Sequence, residues 1–229
     1  MNNNRPLISV IMSVYNSEST IEESIESLLQ QTYKNIKIYL IDDCSDDRSY
    51  KIIENYASKF TRIKSFKNPQ NIGLTKSLNI LAKEVEGPLI ARQDADDFSY
   101  ETRFEEQFSY LNKKSLNACT TRAKIMNTEK LIPGFSTFIP NRISIKFKNP
   151  FIHGTLLIKK STFFELGCYD EKFKYAQDYK LMTDLINKKY KVSILNRPLY
   201  HLNMEGNISS KFKKEQRYYA ECVKKNIEP

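Results

Sequence analysis

Three carboxylates crowd together where an apolar run ends: Leu89-Ile90-Ala91 leads through Arg92 and Gln93 into Asp94, Asp96 and Asp97. Neighbouring carboxylates repel one another unless a cation or hydrogen bonds compensate. Mg²⁺ and Mn²⁺ take oxygen ligands, commonly one or two carboxylates together with substrate phosphates. Asp94-Ala95-Asp96 therefore suits a metal–diphosphate site. The competing reading is that Asp96 or Asp97 caps a helix starting at Tyr100 while the others are solvated. A second acidic cluster, Asp42-Asp43-Cys44-Ser45-Asp46-Asp47, carries two kinds of carboxylate. A buried one at Asp42-Asp43 would accept hydrogen bonds from a base N–H or from ribose hydroxyls, and Asp46 or Asp47 would cap the next helix. The chain contains neither G-x-x-x-x-G-K nor G-x-G-x-x-G, which argues against P-loop and dinucleotide chemistry.

Strands and helices must place these groups. Residues 7–14 form a nearly continuous apolar, β-branched run, as in a strand buried on both faces. Ser19-x-x-Glu22 reads as a capping box opening a helix with Ile21, Ile25, Leu28 and Leu29 at helical spacing. A strand at 36–41, a helix to Phe60 and a strand at 62–66 follow. The turn Asn71-Ile72-Gly73, a helix at 74–85 and a strand at 88–92 complete the first half. This alternation implies an open, mostly parallel α/β sheet with right-handed crossovers. Ligands in such sheets bind beyond the carboxyl ends of strands, where strand order reverses. Three polar clusters fall at such ends: 13–16, 42–47 and 94–97.

The second half is expected to hold a helix at 100–111, a strand at 118–127 and a loop at 132–149. A strand at 151–158 carries His153. A helix from Lys160 to near Gly167 and one leading from Asp178 to Lys189 follow, then a last strand at 190–195. Beyond Pro198 comes a tail rich in lysine and tyrosine.

With 229 residues, 40% hydrophobic and 12% aromatic, the chain can bury one sizeable core, and disorder is excluded. Its start lacks the pattern of a secretory signal, and no stretch reaches 18 apolar residues. Cys44, Cys119, Cys168 and Cys222 are scattered, as in a reduced cytosolic protein. The net charge of +9, from 36 basic and 27 acidic residues, comes without zinc-finger spacing or an RNA-binding aromatic signature, so nucleic acid is not the expected partner. Basic residues gather late, at Lys211, Lys213, Lys214, Arg217, Lys224 and Lys225. An anionic membrane surface, a phosphate-rich substrate or a merely solvated lysine-rich face would account for them.

Seven motifs in order carry a family resemblance: P-L-I-S-V-I-M-S-V-Y-N (6–16), S-L-L-Q-Q-T-Y (27–33), I-D-D-C-S-D-D (41–47), N-I-G-L-T-K-S-L-N (71–79), I-A-R-Q-D-A-D-D (90–97), H-G-T-L-L-I-K-K-S (153–161) and G-C-Y-D-E-K-F-K-Y-A-Q-D-Y-K-L (167–181). Together they resemble the family-two (GT2) inverting glycosyltransferases of GT-A fold, in particular small bacterial enzymes building polysaccharide, lipopolysaccharide or capsule. The resemblance implies a GT-A domain over 1–205, with a nucleotide-sugar half (6–100), an acceptor half (101–205) and a basic tail (206–229). It further implies that Ser13 and Tyr15 line the nucleotide base, Asp43 bonds the uracil edge and Lys76 lies near the diphosphate. Asp94 would meet the ribose, Asp96 would bind Mn²⁺ or Mg²⁺, and Asp178 would be the general base. The implied donor is a UDP-sugar carrying a hexosyl or N-acetylhexosaminyl group, and the acceptor a glycan or lipid-linked hydroxyl. The implied place is the cytoplasm, with peripheral membrane contact through the tail and a tyrosine-rich face available to a second subunit.

Three departures stand out. Gln177 occupies a position where the family usually has Glu, Ser13 one that is often proline, and His153-Gly154-Thr155 stands where H-P-S is common. His153 is expected in the acceptor pocket or packed on its strand, and His201 near the diphosphate or metal. Competing classes are a nucleotidyltransferase, which would need a glycine-rich activating loop early in the chain, and a catalytically silent glycan- or nucleotide-binding protein of the same descent.

Overall fold

The computed structural model describes residues 5–128, 130–134, 139–204 and 212–229. The amino-terminal apolar run becomes β1 (Ile8–Val14), in which only Ser13 is not fully buried. Its alternation sorts the two halves of the core. Ile8, Val10, Met12 and Val14 pack with α1 (Ile21–Leu29), α2 (Ser49–Lys59) and α4 (Arg103–Lys113). Ile11 faces the other way, towards α3 (Leu74–Glu84), α6 (Lys160–Glu165) and α7 (Gln177–Asn187).

Among the described residues the sheet runs β3-β2-β1-β4-β8-β6-β9-β5. β2 (Ile36–Asp42), β1, β3 (Ile63–Lys67) and β4 (Leu89–Arg92) are mutually parallel, as expected. From β1 the chain moves outward to β2 and β3, then returns through α3 to β4 on β1's other side. Strand order therefore reverses between β1 and β4, and a crevice opens at their carboxyl ends. β5 (Phe98–Ser99), β7 (Leu131–Ile132) and β8 (Leu157–Lys159) are antiparallel to their neighbours, while β9 (Val192–Leu202) is parallel to β6 (Ala118–Ile125).

Several local expectations are corrected. α1 has no side-chain cap, and the Ser17 carbonyl instead accepts the Thr20 and Ile21 N–H groups at 3.0 and 2.9 Å. Asp47 does serve α2, accepting the Ser49 N–H at 2.9 Å, whereas Asp46 uses its own N–H on the Asn16 side chain. Neither Asp96 nor Asp97 caps a helix at Tyr100, because β5 intervenes and α4 starts at Arg103. His153 lies in a 3₁₀ turn (His153–Thr155) rather than a strand. The segment taken as a loop holds β7 and a short helix α5 (Asn141–Ser144).

The last strand runs well past Pro198. Proline donates no ladder hydrogen bond, and it is accommodated at an irregularity where Pro198 faces Arg122. Of the expected tail, residues 205–211 lie outside the described residues, and 213–225 form helix α8 (Lys213–Lys225). Tyr219, Cys222 and Val223 sit at helical spacing and face inward. Cys222 and Val223 are buried, and Tyr219 packs on Phe173 and Tyr175, with ring centroids 6.1 and 5.6 Å apart. Charging that stripe buries an unpaired carboxylate. Val223→Asp is expected to cost about 2–4 kcal/mol in urea unfolding, against under about 0.5 kcal/mol for exposed Lys224→Ala.

Candidate active site

At the mouth of the crevice, β1 and β2 end side by side, with Val14 opposite Asp42. Each strand then turns through a left-handed residue, Asn16 (φ 48°) and Cys44 (φ 62°). The two turns are tied together: Asn16 N–H donates to Ser45 Oγ at 3.0 Å, and Asp46 N–H to Asn16 Oδ1 at 2.9 Å. Ser13 is half-buried and Tyr15 is 47% exposed, leaving its ring open to a flat ligand. Asp43 is buried and accepts from Asn68 Nδ2 (2.8 Å), Ile72 N–H (3.0 Å) and Gly73 N–H (2.8 Å). Its carboxylate thereby pins the loop that opens α3. Gly73 adopts φ 88°, a conformation that strains any residue with a Cβ. Lys76 is exposed on the first turn of α3, directly after that loop.

Opposite it, the acidic loop leaves β4 over a buried polar network. Arg92 is buried at the end of β4, donates to the carbonyls of Ile11 and Gln93, and forms an ion pair with Asp94 Oδ1. Burial pushes the Asp94 carboxyl up, but the Arg92 guanidinium overrides this and holds it below the usual range. Gln93 anchors the loop from beneath, donating to the Asp97 carbonyl at 2.9 Å and accepting from Ser99 Oγ and Arg103 Nη1. Arg103 also donates to the Arg92 carbonyl at 2.7 Å, and burial lowers its pKa to about 10. Asp97 is buried and accepts the Asn203 N–H at 2.7 Å, which ties the loop to the end of β9. Asp96 is different. Burial, with the charge of Asp94 next, raises its carboxyl to about 6.

Tyr200 on β9 and the 3₁₀ turn close the loop's far side. The Asp94 N–H donates to Tyr200 Oη at 3.1 Å, and Arg103 lies over the Tyr200 ring at 5.0 Å. Gly154 makes this approach feasible. A Cβ at that position would sit 2.4 Å from Tyr200 Oη and 2.7 Å from Asp94 Oδ2. His153 pairs through Nε2 with Tyr169 Oη at 2.6 Å, and Arg92 Nε points at the same nitrogen at 3.5 Å. A guanidinium only donates, so Nε2 is unprotonated. Burial, then Arg92, push His153 down to about 3, so it is neutral. His201 follows Tyr200 in the strand and faces the other way. It meets Tyr100 Oη at 2.6 Å and packs near Phe98, apart from the Arg92–Asp94 cluster.

The carboxylate supplied late in the chain enters on α7. Ala176 takes a left-handed turn (φ 55°), after which Gln177 and Asp178 begin the helix. Asn149 Nδ2 donates to Asp178 Oδ2 at 2.7 Å, and the backbone N–H groups at the start of α7 also face the carboxylate. Burial raises the Asp178 carboxyl, and the charge of Asp94 adds to the rise. Buried Tyr169, bonded to His153, feels the charges of Arg92, Asp94 and Asp178, so the start of α7 lies near the acidic loop and the 3₁₀ turn. Gln177 is buried beside Asp178 without adding a charge.

Open α/β sheets bind ligands at such a switch point, and here a pinned carboxylate and an acidic loop stand at it. Residues 9–169 match the family described as Glycosyl transferase family 2. The chain belongs to that family. EpsE of Bacillus subtilis (strain 168), provisionally designated a glycosyltransferase, is 32% identical to this glycosyltransferase over 95% of the chain and 79% of its own length. The Escherichia coli O-antigen biosynthesis glycosyltransferase WbnJ is 30% identical over 95% and 86% respectively. The fold is GT-A. TarS 1–349 of S. aureus in complex with UDP-GlcNAc superposes with a TM-score of 0.76 at 22% identity, covering 93% of this chain and 65% of that one. The mannosyltransferase PcManGT from Pyrobaculum calidifontis in complex with GDP-Man and Mn²⁺ gives 0.77 at 14% identity, covering 99% and 67%.

Sequence reasoning assigned no role to Arg92, Gln93, Arg103, Asn149, Tyr169 or Tyr200. Arg92 and Gln93 stand inside the motif at 90–97, and two polar residues between a buried strand and an acidic cluster were the signal that could have found them. The division of labour in the loop has a consequence for stability. Asp94 is the counter-ion of a buried arginine, so Asp94→Asn is expected to cost about 3–5 kcal/mol near neutral pH. Asp96 has a raised pKa: the folded protein holds its proton more tightly, and ionisation costs stability as pH rises from about 4 to about 6. Without divalent cation, Asp96→Asn should therefore raise the melting temperature by about 2–6 °C above pH 6 and leave it unchanged near pH 4. Thermal melts of both variants across pH check the pair of outcomes. Gly154→Ala is expected to destabilise by about 1–3 kcal/mol through overpacking, and Tyr200→Phe on the same chain should recover part of it by removing the clashing hydroxyl.

Proposed function

We propose that the protein is an inverting glycosyltransferase. It moves a sugar from a nucleoside-diphosphate donor, best matched by a UDP-sugar, to a hydroxyl of a glycan or lipid-linked acceptor in cell-surface polysaccharide synthesis. The observation that carries this reading is the placement of Asp178, held by Asn149, with a raised pKa and near enough to the acidic loop to feel the charge of Asp94. The UDP-GlcNAc bound by TarS 1–349 and the O-antigen role of WbnJ support the choice of donor and product class.

Each residue then has a task. Tyr15 offers its exposed ring to the base and Ser13 lines it, while Asp43, already aligned by three donors, takes the base N–H with its remaining lone pair. Lys76 lies by the diphosphate, and Asp94 Oδ2, not used by Arg92, meets the ribose. Asp96 fits a divalent cation. Among the described residues no ion pair or side-chain hydrogen bond consumes its carboxylate in the way Arg92 consumes Asp94, and its raised pKa marks an ionised form in want of positive charge. Among the described residues no cluster of three metal-ligating side chains exists, so Mn²⁺ or Mg²⁺ would share its coordination with the diphosphate. When bound, the cation supplies charge neutralisation for the departing nucleoside diphosphate.

Asp178 takes the proton from the acceptor hydroxyl. The freed oxygen forms its bond to the anomeric carbon as the bond to the diphosphate oxygen breaks, with inversion. A base needs a pKa near the working pH, and burial moves Asp178 that way. A Glu at 177 would add a second negative charge; Gln177 keeps the shift dependent on burial. Neutral His153, held between Tyr169 and Arg92, shapes the acceptor side without transferring a proton. His201 is assigned to bracing the loop through Tyr100. No helix of the described residues is long and apolar enough to cross a membrane, and contact with lipid would be peripheral.

Purified protein with Mn²⁺ and a panel of nucleotide sugars tests the reading. Asp178→Asn is expected to lower kcat by roughly 10²–10⁴-fold while donor-induced thermal stabilisation persists. The acid limb of kcat should lie above the ordinary carboxylate range and vanish in the variant. Product anomeric configuration by NMR should be opposite to the donor's, and retention would contradict the mechanism.

A further inference from the structure

Large apolar side chains exposed one at a time are ordinary on protein surfaces. Ile139, Ile143 and Phe147 are not scattered: they recur every fourth residue and are 37%, 52% and 72% exposed. From Asn141 onward the backbone is helical, since Ile145 N–H donates to the Asn141 carbonyl and Lys148 N–H to the Ser144 carbonyl, both at 3.0 Å, whereas Ile139 precedes an extended Pro140. Ile143 and Phe147 therefore form one outward ridge along α5 and the turns after it, with Ile139 exposed just ahead of the helix. Arg142, Lys146 and Lys148, all exposed, flank that ridge. No acidic residue lies between Pro140 and Tyr169 except Glu165.

The inner side of the same segment is firmly attached. Ser144 and Ile145 are buried, Asn141 Nδ2 donates to the Val192 carbonyl at 3.1 Å, and Tyr179 Oη donates to the Ile145 carbonyl. A fixed apolar ridge between cationic side chains is the surface an interfacial helix shows to a bilayer, with the rings in the acyl boundary and the cations among anionic headgroups. The alternative carrier of basic charge, α8, is packed on the core through Tyr219, Cys222 and Val223.

We infer that the Ile143–Phe147 ridge is a docking surface for an anionic phospholipid bilayer. Two residues past Phe147, Asn149 holds the Asp178 carboxylate. Docking here sets the acceptor side of the crevice at the lipid surface, where the hydroxyl of a lipid-linked acceptor would be presented. That last step rests on the proposed role of Asp178; the docking itself does not.

Sedimentation of the full chain with vesicles of phosphatidylcholine, alone or mixed with phosphatidylglycerol, tests the surface. Binding is expected to the mixed vesicles, weakened by added salt. The variant Ile143→Ser with Phe147→Ser should lower the partition constant roughly tenfold or more. Arg142→Glu with Lys146→Glu, which leaves the apolar residues in place, should lower it comparably, so a folding failure in one variant does not decide the matter. Lys213→Ser with Lys214→Ser on α8 should change it by less than about twofold. Equal binding by wild type and both ridge variants overturns the inference. So does a wild-type dimer in light scattering that dissociates on Phe147→Ser while vesicles bind nothing, which would assign the ridge to a second copy. Vesicle binding without turnover of any nucleotide sugar would count against the enzymatic reading and leave the docking surface standing.

Discussion

A guanidinium buried at the end of a strand must find a counter-charge or destabilise the fold, and Arg92 finds Asp94 two residues on. The rest of the site follows from that pair. Because Arg92 also donates to the carbonyls of Ile11 and Gln93, it joins the carboxyl ends of β1 and β4 at the point where strand order reverses. Because one oxygen of Asp94 is taken, only the other faces the crevice. Because Asp96 is itself buried and lies beside an Asp94 that stays ionised, it is pushed towards the proton, or towards a cation that replaces it.

Beneath the pair, neutral amides and hydroxyls do most of the positioning. Gln93, Ser99, Arg103 and Gln107 bond to one another and to backbone groups, and Gln107 reaches the Thr155 carbonyl at 2.8 Å below the 3₁₀ turn. A buried network of this kind contributes little net free energy while every member is bonded, and costs much when one is removed. Its effect is geometric: it fixes the acidic loop relative to the 3₁₀ turn and β9, which carry Gly154 and Tyr200 at its other side. Asn79 does the same for the late segment, bonding the Tyr169 backbone in both directions, so α3 links the Asp43 loop to the start of α7.

What could be read from the chain is what local pattern encodes. The first four strands and three helices, and the three polar clusters at strand ends, follow from apolar periodicity and turn residues, and the structure has them at nearly the expected boundaries. The second half was harder for identifiable reasons. Antiparallel β8 and β5 are too short to show a period. Pro198 reads as a stop although a strand irregularity accommodates it, and α8 hides three inward residues among many charges. The acidic residues were visible as candidates, but their sorting was not. Whether a carboxylate is a counter-ion, a loop tie or a ligand depends on groups distant in sequence: Asn203 for Asp97, Tyr200 for Asp94, Asn149 for Asp178.

The central claim is that Asp94 is committed to Arg92 while Asp96 is held ready for a cation. Carboxyl ¹³C shifts of the aspartates, followed through a pH titration with and without Mg²⁺ and UDP, address it directly. Asp94 should stay ionised below the ordinary carboxylate range and respond little to Mg²⁺, while Asp96 should titrate near pH 6 and lose that transition when Mg²⁺ and UDP are added. An Asp94 that titrates high and shifts with Mg²⁺, beside an Asp96 that does neither, would contradict the account.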